Sequence, residues 1–260
     1  MGHIRLGRLP KTLHWQGVVN LLDQTPDDVP ALARASLFAA EGRLRQLSHD
    51  PSLTYCFWLL TRVSWASRTP DFFAALNDLG IAPPSSNATA LAFIAQMTNE
   101  VQAHLGRYPE SGPFGELASL AFRRALMETV GQHRQSLFGS SLDDVQHAFR
   151  SHSSASRFGD LSKRFFGDFL ARTLRFFLDR ELPNQVGIGH SMGNINDGQQ
   201  FMVALDTYVR QSAYIMEDFA TGWYGKHNWE SRGEISYEDA RGFVAVALRK
   251  LRMELVRTEP

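Results

Sequence analysis

The chain has 260 residues, 43% of them hydrophobic, with 27 basic and 27 acidic residues and a formal net charge of zero. That length accommodates one large domain or two modest ones with a substantial core, and the charge balance argues against a dominant nucleic-acid or anionic-membrane surface while leaving room for local contact. A single cysteine, Cys56, excludes an internal disulfide framework and fits a reducing compartment.

The first eleven residues, Met1-Gly2-His3-Ile4-Arg5-Leu6-Gly7-Arg8-Leu9-Pro10-Lys11, read as an extended, locally basic arm. No apolar core follows the first basic residues, so the start does not resemble a signal peptide, and a cytoplasmic location is expected. Position six is Leu6 where a myristoylation motif has Ser or Thr. Ile4 and Leu6 offer apolar anchors and Arg5 and Arg8 cationic ones, so the arm is expected to dock on a partner or on its own body.

After Thr12 the apolar residues recur at helical spacing, and about ten helices are predicted. They lie near 13–23, 29–48, 51–66, 70–79, 87–105, 114–138, 142–150, 156–182, 197–224 and 236–257. Capping signals punctuate them. Asp50-Pro51, Thr69-Pro70 and Asp28-Val29-Pro30 each place a side-chain acceptor ahead of an early proline. Ser141 with Asp144, and Ser236 with Asp239, have capping-box spacing. Gly80 and Gly106 suit left-handed C-terminal caps. The most apolar run, Tyr55 to Leu60, is soon interrupted by Arg62 and is too short to span a bilayer. The expectation is an all-α, multi-helix globular body over 12–260, with a division into two lobes near 139–155 as the alternative.

Two short stretches resemble catalytic signatures. Gly189-His190-Ser191-Met192-Gly193 resembles the nucleophile motif of α/β-hydrolases, which requires a strand running into a strained turn and then a helix. Upstream stands Leu182-Pro183-Asn184-Gln185-Val186-Gly187-Ile188, too polar and broken for a buried strand. The later candidates for a triad are His227 with Asp206 or Asp218, the two acids on one helical pattern. A Gly-rich connector is the preferred reading, and a serine hydrolase ranks third among functions. Arg43-Leu44-Arg45-Gln46-Leu47-Ser48-His49 resembles the R-x(4–6)-H signature of HEPN-type ribonucleases. That resemblance implies His49 handling a 2′-hydroxyl proton and Arg43 stabilising phosphorane charge. It ranks second, against a solvated helix end where basic side chains favour the dipole. No metal site is expected, because the one di-iron-like fragment, Asp144-Val145-Gln146-His147, occurs once. No cofactor is expected either, since no Walker A or Rossmann glycine pattern is present.

Within 156–182, Arg157, Asp160, Arg164, Asp168, Arg172, Arg175 and Asp179 alternate in sign at steps of three and four, which reads as an exposed, self-compensated face. Finally, Trp223-Tyr224-Gly225-Lys226-His227-Asn228-Trp229 reads as a loop corner between helices. Trp223, Tyr224, Lys226, His227 and Trp229 have the composition of an interface hot spot or of a buried corner. The leading functional expectation is a non-enzymatic helical subunit or adaptor with a protein partner, soluble and intracellular. Proteins of this motif-poor kind occur in bacterial defence operons, an association that no residue here carries.

Overall fold

The computed structural model describes residues 12–81, 89–131, 141–187, 189–230 and 234–257, and among them the ordered elements are helices. In chain order these are α1 (Leu13–Gln24), α2 (Val29–Ala39), α3 (Glu41–Leu47), α4 (Pro51–Ala66), α5 (Phe72–Asp78) and α6 (Ala90–Leu105), followed by α7 (Gly112–Gly131), α8 (Leu142–Ser151), α9 (Ala155–Leu178), α10 (Ile195–Ser212), α11 (Ile215–Glu230) and α12 (Tyr237–Val256). The fold is all-α, and two isolated bridges, Thr89 with Ser141 and Val186 with Met192, are the β-type pairings among the described residues.

Local chemistry sets most helix starts. Asp50 accepts from the Leu53 amide at 2.8 Å with Pro51 in the first turn, and Asp28 caps α2 in the same way. Ser141 with Asp144 and Ser236 with Asp239 close reciprocal capping boxes. Asn194 and Asp197 form a further one that starts α10 at Ile195. The expected cap at Thr69 is displaced: Asp71 caps α5, accepting from the Ala74 amide at 2.8 Å, while the Thr69 hydroxyl donates to the Ala66 and Asp71 carbonyls. Gly80 has the expected positive φ of 74°, whereas Gly106 stays in the right-handed region at φ −60°.

Two expected helices are each divided. The 29–48 segment breaks at Ala40, whose φ and ψ of −89° and 1° turn the chain between α2 and α3. The segment beginning near 197 breaks at Ala213, and the loop reading of 223–229 is overturned: α11 runs unbroken through Trp223 to Glu230. Within α11, Gly225 faces the Ala155 methyl, which a Cβ at that position would meet at 3.5 Å, an ordinary contact distance. The 156–182 helix ends early, at Leu178, and a 3-10 turn over Leu182–Gln185 accommodates Pro183.

The middle of the molecule is α9, which packs on α7, α10 and α11 and also touches α2 and α4. Its Phe158, Leu161, Phe165, Phe166 and Phe169 are buried in one connected apolar cluster that draws residues from α1 through α12. Gly159 and Gly167 bring neighbours close: a Cβ on Gly159 would meet the Glu217 carbonyl oxygen at 2.4 Å, and one on Gly167 the Ala213 Cβ at 3.1 Å. The other buried axis is α4, where Phe57 stacks on Phe243 of α12 with centroids 4.5 Å apart. The α8 helix packs on α4, α6 and α7.

Candidate functional site

The residues singled out from sequence are scattered. Ile4, Arg5, Leu6 and Arg8 lie outside the described residues. Arg43 belongs to α3, and His49 is exposed in the turn joining α3 to the cap of α4. Ser191 sits in a tight reversal in which the Gly187 amide donates to the Met192 carbonyl at 2.9 Å and the Met192 amide donates to the Gln185 carbonyl at 3.0 Å. Its hydroxyl lies 3.5 Å from the Gln185 side-chain oxygen, and the shallow cleft it borders has Asp27, Asp197 and Gln200 but no histidine among its described lining residues. The Asp197 carboxylate there accepts from the Asn194 amide as part of the α10 cap. His227 is on α11, in ring contact with Trp223 at 4.7 Å.

The aromatic stretch on α11 divides by helical face. Tyr224 is fully buried, stacked on Phe158 at 3.9 Å, and its hydroxyl accepts from Arg68. Trp223 is half-buried against Phe57 and Phe243. Lys226 is exposed, 3.9 Å from Glu230, and Trp229 is 88% exposed at the outer end. Tyr224 therefore faces the core, apart from the exposed Lys226 and Trp229.

The charged face of α9 is only partly the solvated one expected. Asp160 with Arg164 and Arg175 with Asp179 pair along the helix at 2.5 and 3.6 Å. Asp168, however, is 1% exposed. It holds Arg172 of its own helix and Arg210 of α10 at 2.5 Å each, and Arg124 of α7 at 3.4 Å. Partial burial works against the charge on Arg124, but Glu128 and Asp168 outweigh it and raise its pKa. This network ties three helices together, and it borders a cleft in which Asp179 and Asp206 face Arg175.

A better-formed candidate lies elsewhere, on the last three turns of α12. Leu248, Leu251 and Leu255 point inward and are buried, which leaves Met253 and Val256 on the outside, 63% and 48% exposed. Opposite them on α2, Leu37 is buried while Phe38 is 53% exposed. Between these helices, with Ile215 from the start of α11, runs a mainly apolar groove of about 600 Å³. Lys250, Arg252 and Arg257 stand on its rim, and Glu254 is the acid among its described lining residues, 3.9 Å from Arg257. At one lip, His14 of α1 meets Phe38 edge-on at 4.5 Å, and the neighbouring Leu13 is exposed.

Sequence reasoning missed this groove because its two walls are far apart in the chain. The signal present was local: Met253 and Val256 are spaced three apart and fall out of phase with the Leu248, Leu251, Leu255 face. Among the described residues, no group of His, Cys, Asp or Glu could hold a metal ion, and no helix is long and apolar enough to cross a membrane. Compared with known proteins, the chain matches no family model, no curated protein and no solved structure.

Proposed function

We propose that the protein is a non-enzymatic helical subunit or adaptor, and that it holds its partner through the groove between α2 and α12. The observation carrying this reading is the groove's composition: exposed Phe38, Met253 and Val256 along an apolar floor, bordered by Lys250, Arg252 and Arg257, with Glu254 the acid among its described lining residues. Large apolar side chains ringed by polar ones form the centre and rim of protein-docking surfaces. An apolar groove between two helices can take an amphipathic helix with anchors at i, i+3, i+4 and i+7.

The occupant this chemistry selects is an acidic amphipathic segment of another protein. Carboxylates flanking its apolar face would meet the rim cations, steering association and fixing orientation more than adding affinity. The chain's own first eleven residues are a poorer match. They supply Ile4 and Leu6, but they carry Arg5, Arg8 and Lys11 and no acid, so the rim repels them.

The test uses the full chain purified from native cells through a tag at Pro260, with a photo-crosslinking amino acid at position 253. The expected result is a stoichiometric partner cross-linked through an acidic, apolar-spaced segment, and lost on Phe38→Asp with Val256→Asp. A chain that elutes alone, or a cross-link to its own residues 1–11 or to a second copy, overturns the reading. So does a partner retained by the variant.

A further inference from the structure

We propose that Met253 is an oxidation site, at which a hydroperoxide converts the thioether to the sulfoxide and so weakens docking in the groove between α2 and α12. This role rests on the docking reading of that groove, which Met253 helps to line.

Accessibility singles out this side chain. Met97, Met192, Met202 and Met216 are buried, none of them more than 3% exposed. Met127 on α7 is 38% exposed, but it is not among the residues lining the groove. Met253 is 63% exposed, the highest value among the described methionines. A peroxide oxygen must reach the sulfur to react, so reactivity follows exposure. Cys56, the one thiol of the chain, is buried and does not compete. In the reaction the Met253 sulfur gives an electron pair to one oxygen of the hydroperoxide. The O–O bond breaks and the S–O bond forms. The second oxygen leaves with the proton of the first, as water or an alcohol.

The change falls on docking and spares the fold. In the free protein the new oxygen stands in water, because the side chain is mostly exposed and holds no core packing. An apolar partner face laid over α12 strips that water away and leaves a strong acceptor against hydrocarbon. The thioether it replaces is flexible, polarizable and only a weak acceptor, which suits a surface that receives partners. Lys250 lies three residues before Met253 and Arg257 four after, spacings that place them on one side of the helix. The sulfoxide oxygen can therefore accept from a rim cation, and a cation so engaged is withdrawn from the carboxylates of an acidic partner.

The experiment treats the free full chain with limiting hydrogen peroxide and follows each methionine by peptide mass mapping. Groove binding is read with anilinonaphthalene sulfonate, a dye that joins an apolar ring system to an anionic group. Its groove signal is the part removed by Phe38→Asp with Val256→Asp. Met253 should gain oxygen first, with Tm unchanged, and the groove affinity for the dye should fall about tenfold, the size expected when a polar group is buried without a full set of partners. Methionine sulfoxide reductase should restore it. Met253→Leu should bind the dye and keep it through the same treatment. Earlier oxidation of Met127 or of a buried methionine overturns the proposal. A groove signal that survives Met253 oxidation does the same, as does one lost equally in Met253→Leu or one missing from the reduced protein. The docking reading fails by a different result, a partner that the reduced protein retains despite Phe38→Asp with Val256→Asp.

Discussion

Replacing Gly159 with Ala tests the central packing directly. On α9 this glycine faces α11, and an added Cβ would lie 2.3 Å from the Thr221 hydroxyl and 2.4 Å from the Glu217 carbonyl oxygen. The threonine can rotate away, but the carbonyl is part of α11 itself. A real Cβ contact is essentially never below 3.0 Å, so the two helices must separate by more than half an ångström along their busiest interface. Overpacking of this kind costs about 3 kcal/mol. The better helix propensity of Ala offsets about 1 kcal/mol of it, so the net loss is about 2 kcal/mol, or a fall of roughly 5 °C in Tm for a chain of this size. Gly222 on α11 supplies the control, because a Cβ there meets nothing within 4 Å. Gly222→Ala should raise Tm by about 2 °C through propensity alone. Both are read by thermal and urea unfolding followed by circular dichroism in the helical band. A Gly159→Ala protein as stable as wild type would refute the close α9–α11 crossing.

Further expected outcomes concern buried polar groups. Asp168→Ala should cost about 2–3 kcal/mol in urea unfolding, less than a wholly buried pair because its three arginines are 30–43% exposed and can recover water; a loss under about 0.5 kcal/mol would contradict its role as the tie between α7, α9 and α10. His104 stacks on Tyr55 at 3.9 Å, and burial lowers its pKa below 6.5, helped by Arg107 and opposed by the Pro51 carbonyl. A lowered histidine pKa means that the unfolded chain takes up the proton first, so this contribution is complete above about pH 6.5 and is lost as pH falls through and below that value. His104→Phe should flatten that part of the pH dependence, and an unchanged slope would count against it. Cys56 is wholly buried, and burial first and Asp50 second push its thiol pKa well above 9.0. It should react with a thiol reagent only after denaturation, so rapid stoichiometric labelling of the native protein would show that α4 is not the buried axis described.

The helices were legible because their signals are local. Asp50-Pro51, Ser141 with Asp144 and Ser236 with Asp239 each settle a helix start from a few neighbouring atoms, and the phenylalanines of α9 announce the inward face by spacing alone. The errors arose where a local rule met tertiary packing. Gly222 and Gly225 read as the edge of a loop around Trp223–Trp229, yet α11 keeps its helix there, with Gly225 against Ala155 and Tyr224 held by Phe158 and Arg68. Asp168 read as one of a row of exposed charges because its partner Arg172 is four residues away. Its burial depends on Arg124 and Arg210, forty-odd residues distant on other helices. The candidate groove was least legible for the same reason: Phe38 and Met253 line one groove only once α2 and α12 are packed, and the out-of-phase Met253 and Val256 do not by themselves name the opposite wall.

The zero net charge also concealed something. Averaged over the chain it argues against partners recognised by charge, yet the distribution is uneven at the scale that matters, which is a Debye length of about 8 Å. On α9 the signs alternate, Asp160 against Arg164, Asp168 against Arg172 and Asp179 against Arg175, so each cation is neutralised within a turn and the field beyond the helix is small. On α12 the segment Leu248-Arg249-Lys250-Leu251-Arg252-Met253-Glu254-Leu255-Val256-Arg257 sets four cations against a single acid. The acids in the first turn of that helix, Glu238 and Asp239, lie more than a Debye length away along its axis. A positive end and an apolar groove therefore coincide on one helix of a neutral protein. That coincidence is why an acidic segment in the groove follows from these few turns of sequence.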